Sequence, residues 1–392
     1  MSTKGRIVIA GSVAQRPGCG GHTWVFLQYL LGFKRLGWDV LLLDRLEPDM
    51  CVDAHGSPHA MTGSYNLDYF SNVMTRFGLD GAYSVTCNGG EHVLGLPYRE
   101  AAEFVASAEL VLNVMGFFNG QEVLRRARRR VFLDIDPGFG QMWRETSLHD
   151  LFAGNDDFVT IGLNVGRADC AIPTCGLRWI TTAQPVVLDA WPCTGADATG
   201  AAAPITSVAT WRGPFGPVEY KGQVYGLRAH EFRRFAALPQ HASGTFELAL
   251  DIHPADAKDL ALLRDNGWQL VEPTRVAADP WSYQRYIRNS AAELMIAKGM
   301  YVQTRSGWLS DRSLCYLASG RPVIAQDTGI ANHIPVRKGL LTFRTFDEAV
   351  DAVREVRGDY TRHARAARAL AERFFDSDRI LGDLLSRLGV AA

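Results

Sequence analysis

The chain has no C-x-x-C pair. Its seven cysteines, Cys19, Cys51, Cys87, Cys170, Cys175, Cys193 and Cys315, are odd in number and widely scattered, so neither a disulfide framework nor a zinc site is signalled, and a reducing cytoplasm fits. Neither sign of charge dominates: 41 Lys and Arg against 42 Asp and Glu leave a net charge of -1, which argues against a nucleic-acid or anionic-membrane partner. The basic run "RRARRR" at residues 125–130 reads as the solvated end of a helix, where cations complement the carbonyl terminus. No apolar run is long enough to span a bilayer, and the opening "RIVIAG" reads as a strand, so no stable membrane insertion is expected. No internal repeat is visible, and the only low-complexity patch is "GADATGAAAP" at residues 195–204.

What the chain does have is alternation. Hydrophobic residues make up 47% and charged residues 21% of its 392 positions, enough for a sizeable core in each of two domains. In the first half, strand-like "RIVIAG", "DVLLLD", "LVLNVMG" and "VFLDID" alternate with helix-like segments, among them one over residues 23–36 and one ending at residue 130. After the Gly/Ala patch the rhythm restarts with "SVATW", "TFELALDI", "WQLVEP", "MYVQT" and "RPVIAQD" as strands, and the helices between them include one over residues 282–298. Continuous apolar strands of this sort are buried on both faces of a parallel sheet. The expected fold is α/β, two Rossmann-like doubly wound domains facing a cleft: residues 1–200, residues 201–375, and a closing helix at residues 376–392 that packs back on the first. Ligands of such sheets sit beyond the carboxyl ends of the strands, so the loops after Gly11, Asp44, Met115 and Asp136 matter most.

The stretch "RSGWLSDRSLCYLASGRPVI" at residues 305–324 carries most of the chemistry. With "MYVQT" as strand and "SDRSLCYLAS" as helix, Arg305, Ser306 and residues 310–313 lie at a strand-to-helix crossing. There unpaired N–H groups and the helix dipole favour an anion, and Arg and Ser side chains add charge-assisted hydrogen bonds to phosphate. Capping alone accounts for Ser310 or Asp311 and for the stop at Gly320, but leaves Arg305 and Arg312 unexplained.

The longer segment "SGWLSDRSLCYLASGRPVIAQDTG" resembles the donor-binding segment of two-lobed glycosyltransferases of the GT-B fold. "GCGGHTW" at residues 18–24 is similar to the Gly-rich loop after their first strand, and the closing helix is similar to their returning tail. The resemblance implies a diphosphate site made by Arg305, Ser306, Gly307, Ser310, Asp311, Arg312 and Ser313, with Gln326, Asp327 and Thr328 toward the sugar. It places Arg212 and Lys221 where basic side chains hold the diphosphate, and Glu272 where a strand-end carboxylate takes a ribose hydroxyl. Ser290 and Glu293 either face the same site or lie on a helix surface. A UDP- or dTDP-linked donor is implied, with no cofactor and no metal, the leaving charge being met by the helix dipole and arginines. Two departures stand out. Arg305 occupies the place of a histidine in some members, and Gly307 and Cys315 fall where retaining members carry a Glu-x7-Glu pair, which leaves the stereochemical outcome open.

His22 follows the long loop "SVAQRPGCGG" at a helix start, where inverting members place their general base. An imidazole titrating near neutrality suits that task; the other reading is a histidine that caps or packs the helix start. Gly20 and Gly21 permit close backbone approach to substrate. Asp136, before a Pro-Gly turn in "LDIDPGFG", is expected to bind acceptor or steer the base, with Glu91 in "NGGEHV" as its rival. The D-x-D spacing of Asp134 and Asp136 is not read as a metal site, and His55 and His59 are read as loop residues.

The expectation is a cytoplasmic, metal-independent glycosyltransferase with small-molecule donor and acceptor, monomer or homodimer. An Ala-, Arg- and Gly-rich chain of this kind suits natural-product glycosylation. A sugar-nucleotide epimerase would share the phosphate helix. An NAD-dependent dehydrogenase would use Asp44 as its ribose carboxylate, but "GCGGHT" does not satisfy G-x-G-x-x-G. A periplasmic-type binding protein would need an export signal, and none is seen. On this reading Arg305→Ala weakens nucleotide binding more than His22→Ala.

Overall fold

Short apolar runs separated by amphipathic segments give two parallel sheets in the computed structural model, which describes residues 4–193 and 198–391. Residues 195–197 of the Gly/Ala patch therefore lie outside the described residues. The first sheet comprises Arg6–Ala10 (β1), Asp39–Arg45 (β2), Tyr83–Cys87 (β3), Glu91–Gly95 (β4), Leu110–Val114 (β5), Arg130–Asp134 (β6), Asp157–Thr160 (β7) and Trp179–Thr181 (β8). Its order is β4-β3-β2-β1-β5-β6-β7-β8, with only the β3–β4 pair antiparallel. Ile7, Val8 and Ile9 of β1 and Val111 and Leu112 of β5 are fully buried, as strands covered by helices on both faces must be.

The second lobe opens with Ile205–Thr210 (β9), followed by a separate hairpin of Val218–Tyr220 (β10) and Gln223–Tyr225 (β11). Phe246–Asp251 (β12), Gln269–Val271 (β13), Ala292–Met295 (β14), Val323–Gln326 (β15) and Leu340–Phe343 (β16) complete a sheet of order β13-β12-β9-β14-β15-β16, parallel throughout. Strand order reverses beside β1 in one lobe and beside β9 in the other, which opens a crevice at the carboxyl ends of each sheet.

Four local expectations are corrected. The strand of the 282–303 region is Ala292–Met295, not "MYVQT", which forms the helix Gly299–Gln303. The preceding helix is only Pro280–Arg288, started by Asp279, whose carboxylate accepts from Ser282 N at 2.7 Å, and by Pro280 in the first turn. Glu293 hides β14 from a periodicity reading, because a buried carboxylate in a strand needs a partner that only the fold supplies: Arg312 Nε, 2.5 Å away. The run at residues 125–130 is no α-helix end but a 3-10 turn, Glu122–Arg126, leading into β6, where Arg129 pairs with Asp157 at 2.6 Å. The closing segment is two helices, Tyr360–Phe374 and Ser377–Arg387, broken where the Asp376 carboxylate accepts from Asp378 N at 3.0 Å. The last of these lies on the first-lobe helix Gly20–Arg35: a Cβ at Gly32 would stand 2.5 Å from Leu381 Cδ1, and Arg35 pairs with Asp378 at 3.1 Å.

Candidate active site

Between the lobes lies a cavity of about 1240 Å³, walled by the loops after β1, β5 and β6 on one side and after β9, β12 and β14 on the other. Its place is the one that parallel-sheet topology dictates.

The second-lobe wall is charged. The helix Asp311–Ala318 begins there, and Ser310, its N-cap, makes no side-chain cap, so backbone N–H groups at the start are not taken by it. Asp311 stands at the same corner. Burial pushes its pKa up. Arg312 is tied down by Glu293 and by the Val208 carbonyl at 2.6 Å, and acts as a fixed brace between β9, β14 and the helix. Arg228 differs: it lines the cavity, its Nε has no partner among the described residues, and its Nη1 makes a long 3.4 Å contact to the Thr210 carbonyl. Protein surrounds the guanidinium while part of its surface stays open to the cavity; burial and the nearby Arg312 bring its pKa down to about 10. Lys298, in the loop after β14, lies 4.9 Å, 5.8 Å and 5.4 Å from the ring centres of Phe139, Phe215 and Tyr301. Arg228 has no carboxylate partner among the described residues and Lys298 is paired with a single one, Asp136 of the facing wall, and sequence reading passed over both. The one signal for Lys298 was the loop after a strand, which the misplacement of β14 concealed.

On the first-lobe wall, His22 Nε2 lies 3.0 Å from the Ser12 carbonyl and 3.1 Å from Ser12 Oγ. A carbonyl only accepts, so Nε2 carries the proton and Nδ1 is the bare nitrogen. Burial drives the His22 pKa down to about 4, which keeps the ring neutral at pH 7. Its steering group is a backbone carbonyl, not a carboxylate. Asp136 instead binds Lys298 of the other lobe at 2.8 and 3.1 Å, so the expectation that it steers the base is not met in this arrangement. Asp134 is a buried brace: it accepts from Gln141 Nε2 at 2.7 Å, Thr160 Oγ1 at 2.8 Å and Asp136 N at 3.1 Å, which aims the loop that carries Asp136. Asp44 serves the loop after β1, accepting from Ala14 N at 2.6 Å and Arg45 N at 2.7 Å, so those bonds, not a ribose, hold its oxygens.

Of the residues singled out from sequence, the cavity brings together Gly21, His22, Asp136, Glu272, Ser310, Asp311 and Arg312. Others are placed elsewhere, for identifiable reasons. Arg305, Ser306 and Gly307, together with Asp327 and Thr328, form a joint between the lobes around Asn164. Asn164 Nδ2 donates to the Arg305 carbonyl at 2.8 Å and the Gly329 carbonyl at 3.2 Å, and Asn164 N donates to the Ser306 carbonyl at 3.0 Å. Gly307 has φ +71 and a Cβ there would lie 2.9 Å from Asn164 N, so the glycine serves the joint. The Arg305 guanidinium faces Asp169 at 3.7 Å, Ser306 Oγ donates to the Tyr301 carbonyl at 3.2 Å, and Thr328 Oγ1 donates to the Trp308 carbonyl at 2.5 Å. Asp327 is held by Arg344 and by Gly329 N, and Gln326 by Ala297 N at 3.1 Å and Glu231 at 2.7 Å. Ser313 is buried outside the cavity wall. Arg212 is exposed and paired with Asp256, Lys221 tips the β10–β11 hairpin, and Glu91 on edge strand β4 accepts from Asn88 Nδ2 at 3.0 Å. Gly20 packs against the second lobe: its N–H donates to the Ala277 carbonyl at 2.8 Å, and a Cβ would lie 2.2 Å from the Asp279 carbonyl oxygen. Cys315 is buried against Gln28 Nε2 at 3.8 Å, and with Gly307 it leaves the Glu-x7-Glu positions without a carboxylate.

No protein-family model and no curated protein sequence matches the chain. Solved structures do. The chain is similar over 98% of its length to an alpha-glucosyltransferase in complex with UDP-glucose and DNA containing an abasic site, 99% of which is covered, with TM-score 0.60 and 12% identity. It is similar over 98% to AviGT4, a glycosyltransferase involved in avilamycin A biosynthesis, 96% covered, TM-score 0.55, 13% identity. It is likewise similar over 98% to Anabaena Alr3699/HepE in complex with UDP and glucose, 99% covered, TM-score 0.57, 13% identity. At these identities the likeness shows the fold. It also corrects one expectation: a protein of this fold is solved with DNA, so the exclusion of nucleic acid drawn from net charge is withdrawn, and with it the restriction to small-molecule acceptors. Among the described residues no helix is long and apolar enough to cross a membrane, and no group of three His, Cys, Asp or Glu side chains could hold a metal ion.

Proposed function

We propose, from a chain that has the two-lobed GT-B fold, a glycosyltransferase that moves a sugar from a nucleoside diphosphate sugar to an acceptor hydroxyl. The observation that carries this is Arg228: a guanidinium with an unpartnered Nε and no carboxylate partner among the described residues, beside the start of the helix Asp311–Ala318, in a cavity at the carboxyl ends of both sheets. Similar structures hold UDP or UDP-glucose, which supports a uridine-type donor for this chain too.

In this reading the bond from the anomeric carbon to the diphosphate oxygen breaks with its electron pair on the diphosphate. Arg228, Lys298 and the helix-start N–H groups receive that charge, which fits the metal-independent expectation. Lys298 must then exchange its carboxylate partner for phosphate, which releases Asp136 to face the acceptor. The acceptor oxygen bonds to the anomeric carbon and its proton passes to a first-lobe base. Neutral His22 has a bare Nδ1 for the purpose, but burial that disfavours imidazolium weakens it as a base. Asp136, once released, is a second group on the same wall that can take that proton. Glu272, exposed at the cavity lip, remains the proposed ribose carboxylate. A natural-product setting is supported by the likeness to AviGT4, and a reducing compartment by seven free thiols.

A thermal-shift comparison of UDP, dTDP and NAD tests the reading, followed by sugar-nucleotide turnover. A nucleoside diphosphate at a hundredfold excess over its dissociation constant is expected to stabilise the chain by about 2.7 kcal/mol. Stabilisation by NAD and by no nucleoside diphosphate would reverse it.

A further inference from the structure

The cavity is larger than the roughly 300–1,000 Å³ that one small ligand fills, at about 1240 Å³, so there is room for a second body beside the donor. Away from the cationic residues its wall is formed by Met115, Phe117, Ile135, Trp143 and Leu151 of the first lobe and Phe215 of the second. Phe117, Trp143 and Phe215 are only half-buried, so each presents ring surface. Trp143 and Phe215 come from opposite lobes and meet edge to face, 5.0 Å apart at 82°.

The Asn and Asp side chains on this side are already bonded within the protein. Asn119 donates from Nδ2 to the Leu151 carbonyl at 2.7 Å and accepts at Oδ1 from Asn113 at 2.7 Å. Asp150 accepts from Phe152 N at 2.8 Å and lies 3.7 Å from Arg144 Nε. Asp136 is held by Lys298. A site that reads a hydroxyl-rich sugar ring needs several unpaired donors and acceptors, because each hydroxyl buried without a partner costs about 1–3 kcal/mol. An apolar ring needs only the surface that is present. Exposed Arg16 and His149 on the wall suit its polar edge.

We propose that this wall is an acceptor subsite for a flat apolar ring system that bears the attacking hydroxyl. The proposal rests on the glycosyl-transfer reading: the ring stacks on the surface that the Trp143–Phe215 pair presents to the cavity, its oxygen bonds to the anomeric carbon as the diphosphate leaves, and its proton passes to the first-lobe base. Because the two stacking residues belong to different lobes, the ring is gripped only when the lobes are closed.

Calorimetric titration of the wild-type chain with UDP present, using 1-naphthol, methyl glucoside and a short single-stranded DNA, tests it. Naphthol is expected to bind about tenfold tighter than the glucoside, with a negative heat-capacity change, and to lose about tenfold in Trp143→Ala and in Phe215→Ala. Naphthol binding no tighter than the glucoside, tighter binding of the DNA, or affinity unchanged in both variants would overturn it. The ligand comparison uses the wild-type chain, so a variant that fails to fold does not suspend the test. UDP binding without naphthol binding removes the subsite alone; naphthol binding without any nucleoside diphosphate binding removes the glycosyl-transfer reading and the acceptor role with it.

Discussion

The two walls of the cleft are built from the same kind of sheet end yet differ in chemistry. The second-lobe wall leaves Arg228 Nε without a partner and a helix start uncapped, and the first-lobe wall ties up its Asn and Asp side chains and leaves ring surface bare. The contrast teaches that a parallel-sheet crevice sets where a ligand sits, while the residues left without internal partners set which ligand it is. One contact bridges the contrast: Lys298 of the charged wall is parked on Asp136 of the other.

The sharpest way to break the comparison is to remove the charge. Arg228→Ala combined with Lys298→Ala is expected to weaken UDP binding about 1,000-fold, about 4 kcal/mol, by calorimetry. A loss under tenfold would mean that the diphosphate sits elsewhere. The next effect belongs to the first-lobe wall and appears in stability. The folded His22 pKa of about 4 lies below its unfolded value of 6.5, so the unfolded chain binds that proton first, and the histidine's contribution is full above pH 6.5 and is lost as pH falls toward 4. Relative to His22→Gln, the wild-type chain should lose about 3 kcal/mol across that interval in denaturant titrations. Parallel curves would show the imidazole to be solvated. Asp44 shifts the other way, up to about 7, and slopes oppositely in both proteins, which is why the difference between them is the quantity to read.

Smaller, and of opposite sign to the first, is the effect of Asp136→Asn. Releasing Lys298 from its carboxylate should tighten UDP binding about fivefold, about 1 kcal/mol, and weaker binding would show that Asp136 organises the lysine for phosphate. Smallest of all is Arg305→Ala, expected to leave UDP affinity within about twofold, since its guanidinium faces Asp169 and not the cavity. This reverses the order expected from the motif alone.

That reversal shows where sequence legibility stopped. The strands β1, β2, β5, β6, β9, β12 and β15 were readable because each is a short apolar run bounded by turn residues, a purely local signal. The strand β14 was not, because Glu293 interrupts its run and is neutralised by Arg312, a residue 19 positions away. Within residues 305–328 the resemblance located a segment that does reach the cleft, but at Ser310, Asp311 and Arg312, while its Ser-Gly-Trp portion turns to the joint at Asn164. His22 and Asp136 were legible as ends of strand-following loops; their bonding partners, Ser12 and Lys298, were not.

By itself the sequence determined two doubly wound sheets, because burial of continuous apolar strands under amphipathic helices is a matter of local pattern. It also determined that chemistry would gather at the carboxyl ends, because topology allows little else. Only the tertiary structure decided which charges are spent on the protein's own carboxylates and which stay free. Pairing depends on atoms brought within about 3 Å by residues more than a hundred positions apart, as Lys298 meets Asp136 and Asn164 meets Arg305.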